Sequence, residues 1–219
     1  MSSKVSKILN VLNYKSIYFN FKYLSFKEAI KFPIFISNKV YLKNVKGKII
    51  IESPISFGMI KIGFGEVGIF DDKRSRTIWN VFGKIIFKGS ANIGHGSKIS
   101  VGEKGILIFG NNFRITAESS IIAHSNITFG NDCLLSWDTL IMDNDLHHII
   151  NSQGEVINKS SPVFIGSNVW IGCRNLILKG AIIPNGCVIG ANSVITKKLE
   201  KEYSVYVGNP VKCIKENIN

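Results

Sequence analysis

His147 and His148 lie side by side in the polar run DNDLHH, and two acids, Asp143 and Asp145, immediately precede them. An unperturbed imidazole titrates near pH 6.5, which suits it to take a proton from a poor nucleophile, such as a hydroxyl, at neutral pH. Asp143 or Asp145 could orient such a ring and stabilise its charged form, although loop carboxylates are as often solvated. The other two histidines, His95 and His124, follow Gly94 and Ala123 and read as corner residues on a surface. Two tryptophans complete the set. Trp137, in LLSWDT, precedes the histidine run and could stack on a ring-shaped ligand. Trp170, in NVWIG, occupies an outward position where a large apolar ring needs a subunit contact or a ligand to wall.

The elements that must position these residues announce themselves by period. Ile165, Ile171, Ile177, Ile183, Ile189 and Ile195 recur every six residues, which neither a helix nor a simple strand explains. Gly or Pro follows four of the six (Gly166, Gly172, Pro184, Gly190), and a small residue comes four positions after several of them (Ala181, Cys187, Ser193). An inward aliphatic, a tight turn and a small corner residue describe one face of a triangular solenoid with three hexads per turn. Ile165 should then stack on Ile183, Ile171 on Ile189 and Ile177 on Ile195. Phe109, Ile115, Ile121 and Ile127 keep the register earlier; a slip restarts it at Phe129, Leu135 and Ile141, and Ile93 and Ile99 hold a preceding coil. Residues 143–162 break the pattern with polar sequence and read as a loop thrown out of the coil.

The chain has 219 residues, 45% hydrophobic, and carries a net charge of +12. This is enough to bury a sizeable core, and it admits anionic partners: nucleic acid, anionic lipid, an acidic polysaccharide or a phosphorylated cofactor. No nucleic-acid motif accompanies the basic residues, so nucleic acid is not expected. Lysines crowd the two ends. Lys alternates with Tyr, Phe and Ile in YKSIYFNFKYLSFKEAIKFPIFIS, which could lie on a membrane surface, but a mixed helical and extended cap over the open end of the solenoid is the favoured reading. No stretch is long enough to span a bilayer, and the N-terminus lacks a secretory signal's apolar core, so a cytoplasmic protein is expected, with contact at the inner membrane face left open. Cys133, Cys173, Cys187 and Cys213 form no CxxC pair and read as free thiols. The chain divides into a cap (1–58), a solenoid (59–207, with the loop at 143–162) and a short tail (208–219).

The residues IGSNVWIGCRNLILKGAIIPNGCVIGANSVITKKL, followed by VGNPVKCIKE, resemble the hexapeptide-repeat acyltransferases, and LLSWDTLIMDNDLHHI is similar to the bacterial surface-polysaccharide and sugar O-acetyltransferases among them. The resemblance covers about residues 86–216. It implies an all-β, left-handed parallel β-helix, a homotrimer with sites between neighbouring subunits, and transfer of acetyl from acetyl-CoA to a hydroxyl of a glycan or glycan precursor. The family pattern Asp-x-His-x-Ile falls on Asp145, His147 and Ile149, so His147 is the expected base, His148 its alternate and Asp145 its partner; Trp137 and Asp143 are expected to meet the acceptor. By the same matching, Trp170, Cys173, Ala191, Thr196 and Lys197 line the thioester and pantetheine path. Lys212 and Lys215 fall where the family often has arginines for the nucleotide phosphates; lysine supplies the charge without the bidentate fork. No metal is expected, since the paired histidines of the zinc carbonic anhydrases that share this fold are missing. An N-acyltransferase acting on an amino sugar or nucleotide sugar is the alternative function, and a non-catalytic β-helix scaffold is the second.

Overall fold

The computed structural model describes residues 13–71 and 73–218. The chain winds so that each turn adds one parallel strand to each of three faces. The first coil is β1 (Ile34–Ile36), β2 (Tyr41–Val45) and β3 (Lys48–Ile51); the second is β4 (Ile60–Phe64), β5 (Ile78–Val81) and β6 (Lys84–Phe87). β7 (Ala91–His95), β8 (Lys98–Val101) and β9 (Ile106–Phe109) follow, then β10 (Phe113–Ala117), β11 (Ser120–Ala123) and β12 (Asn126–Phe129). The later strands are shorter: β13 (Leu134–Leu135), β14 (Leu140–Met142) and β15 (Val163–Ile165), then β16 (Trp170–Ile171), β17 (Leu176–Ile177) and β18 (Ile182–Ile183), and finally β19 (Val188–Ile189) and β20 (Val194–Ile195). β21 (Val205–Val207) extends the first face, and β22 (Lys212–Lys215) turns back antiparallel on it.

Stacking follows the period. Ile165 pairs with Ile183, Ile171 with Ile189 and Ile177 with Ile195, and Ala181, Cys187 and Ser193 are buried at the corners. The slip near Phe129 has a geometric cause. Early strands of four or five residues turn two side chains inward, whereas the last strands turn one. The return from Ile93 to Ile115 is therefore longer than that from Ile171 to Ile189.

The boundary expected at 58/59 moves toward the N-terminus. β1, β2 and β3 already form a complete coil, paired in parallel with β4, β5 and β6. A register shift between Leu42 and Asn44 breaks the hexad spacing there, which hides this coil from a search by period. The cap proper is α1 (Tyr14–Tyr23) and the short α2 (Phe26–Ala29); the expected cap residues 1–12 lie outside the described residues. An open β-helix exposes a strand edge with unpaired backbone groups. α1 covers that edge with side chains in place of a further strand. Asn20 Nδ2 donates to the Ile34 carbonyl (2.7 Å) and its Oδ1 accepts from the Ile34 N–H (3.2 Å), while Ser16 Oγ accepts from the Ile36 N–H (2.9 Å). Phe19 plugs the end of the core, edge-on to Trp79 with ring centroids 5.3 Å apart. At the other end, the expected tail is an ordered hairpin, with Lys212 opposite Val207 and Lys215 opposite Val205.

Candidate functional site

The corner between the second and third faces carries the histidine loop. In the early coils it is a short turn: Lys46–Gly47 after β2, Phe82–Gly83 after β5, Gly102–Gly105 after β8, and His124–Ser125 after β11. Following β14, the same corner opens into residues 143–162, and His147 and His148 leave the coil here, both exposed. His124, one coil earlier, is exposed directly beside them. A cleft of about 220 Å³ is lined by His124, His147 and His148 together with Asn144, Asn158 and Ser160.

Buried and exposed carboxylates anchor the loop at its start. Asp143 is fully buried, and its two oxygens accept the His124 and Ser125 N–H groups at 2.8 Å each. The expectation that Asp143 meets the acceptor or orients an imidazole is therefore corrected: its carboxylate bolts the loop to the corner below it. Hydrogen bonds to a charged group contribute about 1.5–3 kcal/mol. Asp143→Ala, which also strands two N–H donors, is expected to cost about that much in urea unfolding and to expose the loop to limited proteolysis. A variant as stable and as protease-resistant as the parent would refute the anchoring role.

Asp145 is exposed and bonds to Lys179 Nζ (2.5 Å) and Asn158 Nδ2 (2.8 Å). Lys179, then Asn158, hold its carboxyl below the usual carboxylate range. Because the folded value is lowered, the tie persists through the neutral range and is lost only as pH falls below the ordinary carboxylate value of about 4. Asn158 does more than hold Asp145. Its Nδ2 also donates to the His147 carbonyl (2.8 Å), and its Oδ1 accepts from the Ile149 N–H (2.7 Å). Asn158 and Lys179 were not singled out by the sequence. Their signal was faint: an amide inside the expected loop, and an outward lysine one coil beyond it. The expected pairing of Asp145 with the imidazole is replaced by this backbone clamp, and among the described residues neither His147 nor His148 has a hydrogen-bonded ring.

The other expected site residues divide between two corners. Trp137, Cys173 and Ala191 stack on the corner between the first and second faces, where the Arg174 N–H donates to the Trp137 carbonyl (3.0 Å) and the Asn192 N–H to the Cys173 carbonyl (2.9 Å). Trp170, on the adjoining first face, is 51% exposed, and its Nε1 donates to Ser136 Oγ (3.3 Å). Thr196 and Lys197 instead share the histidine corner, with the Lys197 carbonyl accepting from the Ile182 N–H. Lys212 and Lys215 are exposed on β22. One chain thus puts the histidine loop on the same corner as Thr196 and Lys197, which lie two coils further on, and separates them by a sheet face from Trp137, Cys173 and Ala191. Gly172 and Gly190 let successive turns stack closely at this second corner, where a Cβ would lie 2.9 Å from the Ile189 carbonyl and 2.5 Å from Val207, and the exposed ammonium groups of Lys212 and Lys215 are of the charge that would suit the phosphates of a coenzyme A arm.

His95 departs from its expected place on the surface. It is buried, with Nε2 3.9 Å from the Glu118 carboxylate. The cysteines are free thiols. Burial pushes the Cys133 thiol up to about 11 and that of Cys187 upward as well, which disfavours the thiolate needed for nucleophilic attack. His124 does join His147 and His148 in one cleft, but no group of three or more His, Cys, Asp or Glu among the described residues is arranged to hold a metal.

Comparison with known proteins matches this architecture. Residues 162–197 fit the family model described as bacterial transferase hexapeptide (six repeats). The chain is 30% identical over 144 residues to an Escherichia coli (strain K12) protein named as a lipopolysaccharide biosynthesis O-acetyl transferase, WbbJ, covering 61% of this chain and 72% of that one. It is 32% identical over 124 residues to galactoside O-acetyltransferase of the same organism, covering 56% of each. Among solved structures, the polySia specific acetyltransferase NeuO superposes with a TM-score of 0.56 at 21% identity, over 83% of this chain and 88% of that one, a likeness of fold. Three parallel faces stacked by six-residue steps, a loop thrown out at one corner, and identity of 30% over most of a relative's length lead to one assignment: this chain is a left-handed β-helix protein of the hexapeptide-repeat acetyltransferase family.

Proposed function

We propose that the chain transfers acetyl from acetyl-CoA to a hydroxyl of a bacterial surface glycan or its precursor, with His147 as the base. The observation that carries this reading is His147 itself: its backbone is clamped by Asn158 while its ring stands free in the cleft. Acetyl-CoA supplies the activated acyl carbon. His147 takes the proton of the acceptor hydroxyl as its oxygen attacks that carbon, and a backbone N–H steadies the developing negative charge. The new ester bond forms as the carbon–sulfur bond breaks, and the proton leaves with the thiol. Transfer is direct, since Cys173 and Cys187 sit at corners of the coil and neither lies in the loop with His147.

A homotrimer belongs to the proposal. Trp137, Cys173 and Ala191 lie one sheet face away from His147 in the same chain, so packing that corner against the histidine corner of a second copy would complete the site between them. The outer side of α1 and α2 exposes Tyr14, Tyr18, Phe21 and Phe26 among lysines, which supports peripheral contact with an anionic membrane; no described helix is long and apolar enough to cross one.

The deciding experiment is acceptor-dependent thiol release from acetyl-CoA across a glycan panel, with the product then held in mild alkali. Release of acetate from the product is expected, because an ester is cleaved where an amide survives. An alkali-stable product would instead establish N-acylation of an amino sugar. A chain that binds no coenzyme A would be a scaffold.

A further inference from the structure

The histidine corner continues past the loop toward the N-terminal end as a trough. The cleft at His147 shares His124, Asn144 and Ser160 with a second hollow of about 450 Å³, and this shares Phe82, Glu103 and Lys104 with a third of about 320 Å³. The three are one channel along stacked turns. Glycine lets the turns of its floor stack closely: a Cβ on Gly47 would lie 2.3 Å from the Gly83 carbonyl, and one on Gly83 2.3 Å from the carbonyls of both Gly102 and Gly105. Parallel strands lie about 4.8 Å apart, so the four steps from Lys46 to Asn144 make a channel about 19 Å long, enough for several sugar units.

Its lining is basic. Lys46, Lys48, Lys84 and Lys104 line the far end and Lys159 the near end, against the single acid Glu103. Among the described residues none of these five ammonium groups is in an ion pair. Phe82 is exposed in the middle, with Lys46 Nζ 5.9 Å from its ring centroid. Five cations against one acid in a single groove focus an attractive field on an extended anion, and one aromatic face offers an apolar platform for a sugar ring. A single aromatic is not the ladder of stacking rings that single-stranded nucleic acid calls for.

We propose that this trough is the track of an acidic polysaccharide, its carboxylates or phosphates on the lysines, running along the coils so that one hydroxyl reaches His147. The inference rests on the acetyltransferase reading and narrows the acceptor from any glycan to a polyanionic one longer than a single sugar.

Binding of fluorescent polygalacturonate, a phosphomannan, a neutral dextran of matched length and poly(dT) to the full chain tests it, beside coenzyme A binding in the same samples. At least one acidic polysaccharide should bind, more weakly as salt rises, and dextran should not. Lys84→Glu with Lys104→Glu should weaken that binding at least tenfold and leave coenzyme A binding unchanged, whereas Lys27→Glu with Lys31→Glu, on the cap, should do neither. Replacement of the same pair by Gln guards against misfolding and should give an intermediate loss. Undiminished binding by the groove variants, equal binding of dextran, tighter binding of poly(dT), or no binding of either acidic polymer would overturn the track. Any of these with coenzyme A still bound removes this inference alone; loss of coenzyme A binding by the unaltered chain removes the enzyme reading beneath it.

Discussion

His147→Ala is expected to lower acceptor-dependent thiol release about 10²–10⁴-fold, the range that a positioned general base contributes, with coenzyme A binding retained. The fold should be indifferent to the change. The imidazole is exposed, so removing it leaves no cavity, and the loop's tie at this position runs through the His147 carbonyl to Asn158, which alanine keeps. A fall in rate without a fall in stability therefore separates chemistry from structure. His148→Ala, one residue along the same exposed stretch, should cost far less. A larger loss at His148 would exchange the two roles, and activity surviving both replacements would end the assignment of the base to this loop. In the proposed trimer, mixing inactive His147→Ala chains with inactive Trp137→Ala chains should restore part of the activity, because each mixed interface can pair an intact histidine with an intact tryptophan.

Phe109→Ala should be the most damaging single truncation of the core, lowering stability by about 3–5 kcal/mol. Phe109 is fully buried between Phe87 and Phe129, with centroids 5.2 and 5.7 Å away in stacked geometry, and Phe113 packs on it at 4.4 Å. Phe87, Phe109 and Phe129 occupy consecutive coils on the third face, and Phe113 comes from the first. Solenoid coils are held chiefly by their neighbours, so a void here weakens the two interfaces that join the early coils to the half that carries the histidine loop. Against a typical stability of about 5–15 kcal/mol, the urea midpoint should move markedly at constant slope. A change under about 1 kcal/mol would mean that the stack is not what couples the two halves.

The inward ladder from Ile165 to Ile195 was legible residue by residue, because a side chain returning every six positions reports its own direction relative to the turn that follows it; in the earlier coils Val101, Leu107, Phe113 and Ala123 also turn inward and fell outside the period. The interruption at 143–162 was equally plain, since polar residues cannot continue a buried ladder. Asp143 was not. A carboxylate in a loop looks solvated until the coil beneath it presents two unpaired N–H groups, and those come from His124 and Ser125 in the preceding turn. His95 was mistaken for a similar reason: its neighbour Glu118 is supplied by the next coil.

What the sequence determined by itself is the repeating unit, its three faces, the place of the excursion, and the histidine pair that the excursion carries, all of them set by contacts within one turn. Tertiary structure alone decided which corner each functional residue occupies. His147, Thr196 and Lys197 share one corner while Trp137, Cys173 and Ala191 share another. It also aligned lysines from four of five stacked turns into a trough, and placed Asn20 and Ser16 to close the open edge. Corner identity depends on the summed length of every strand and turn since the first coil, and that length varies along this chain. No local spacing carries the sum.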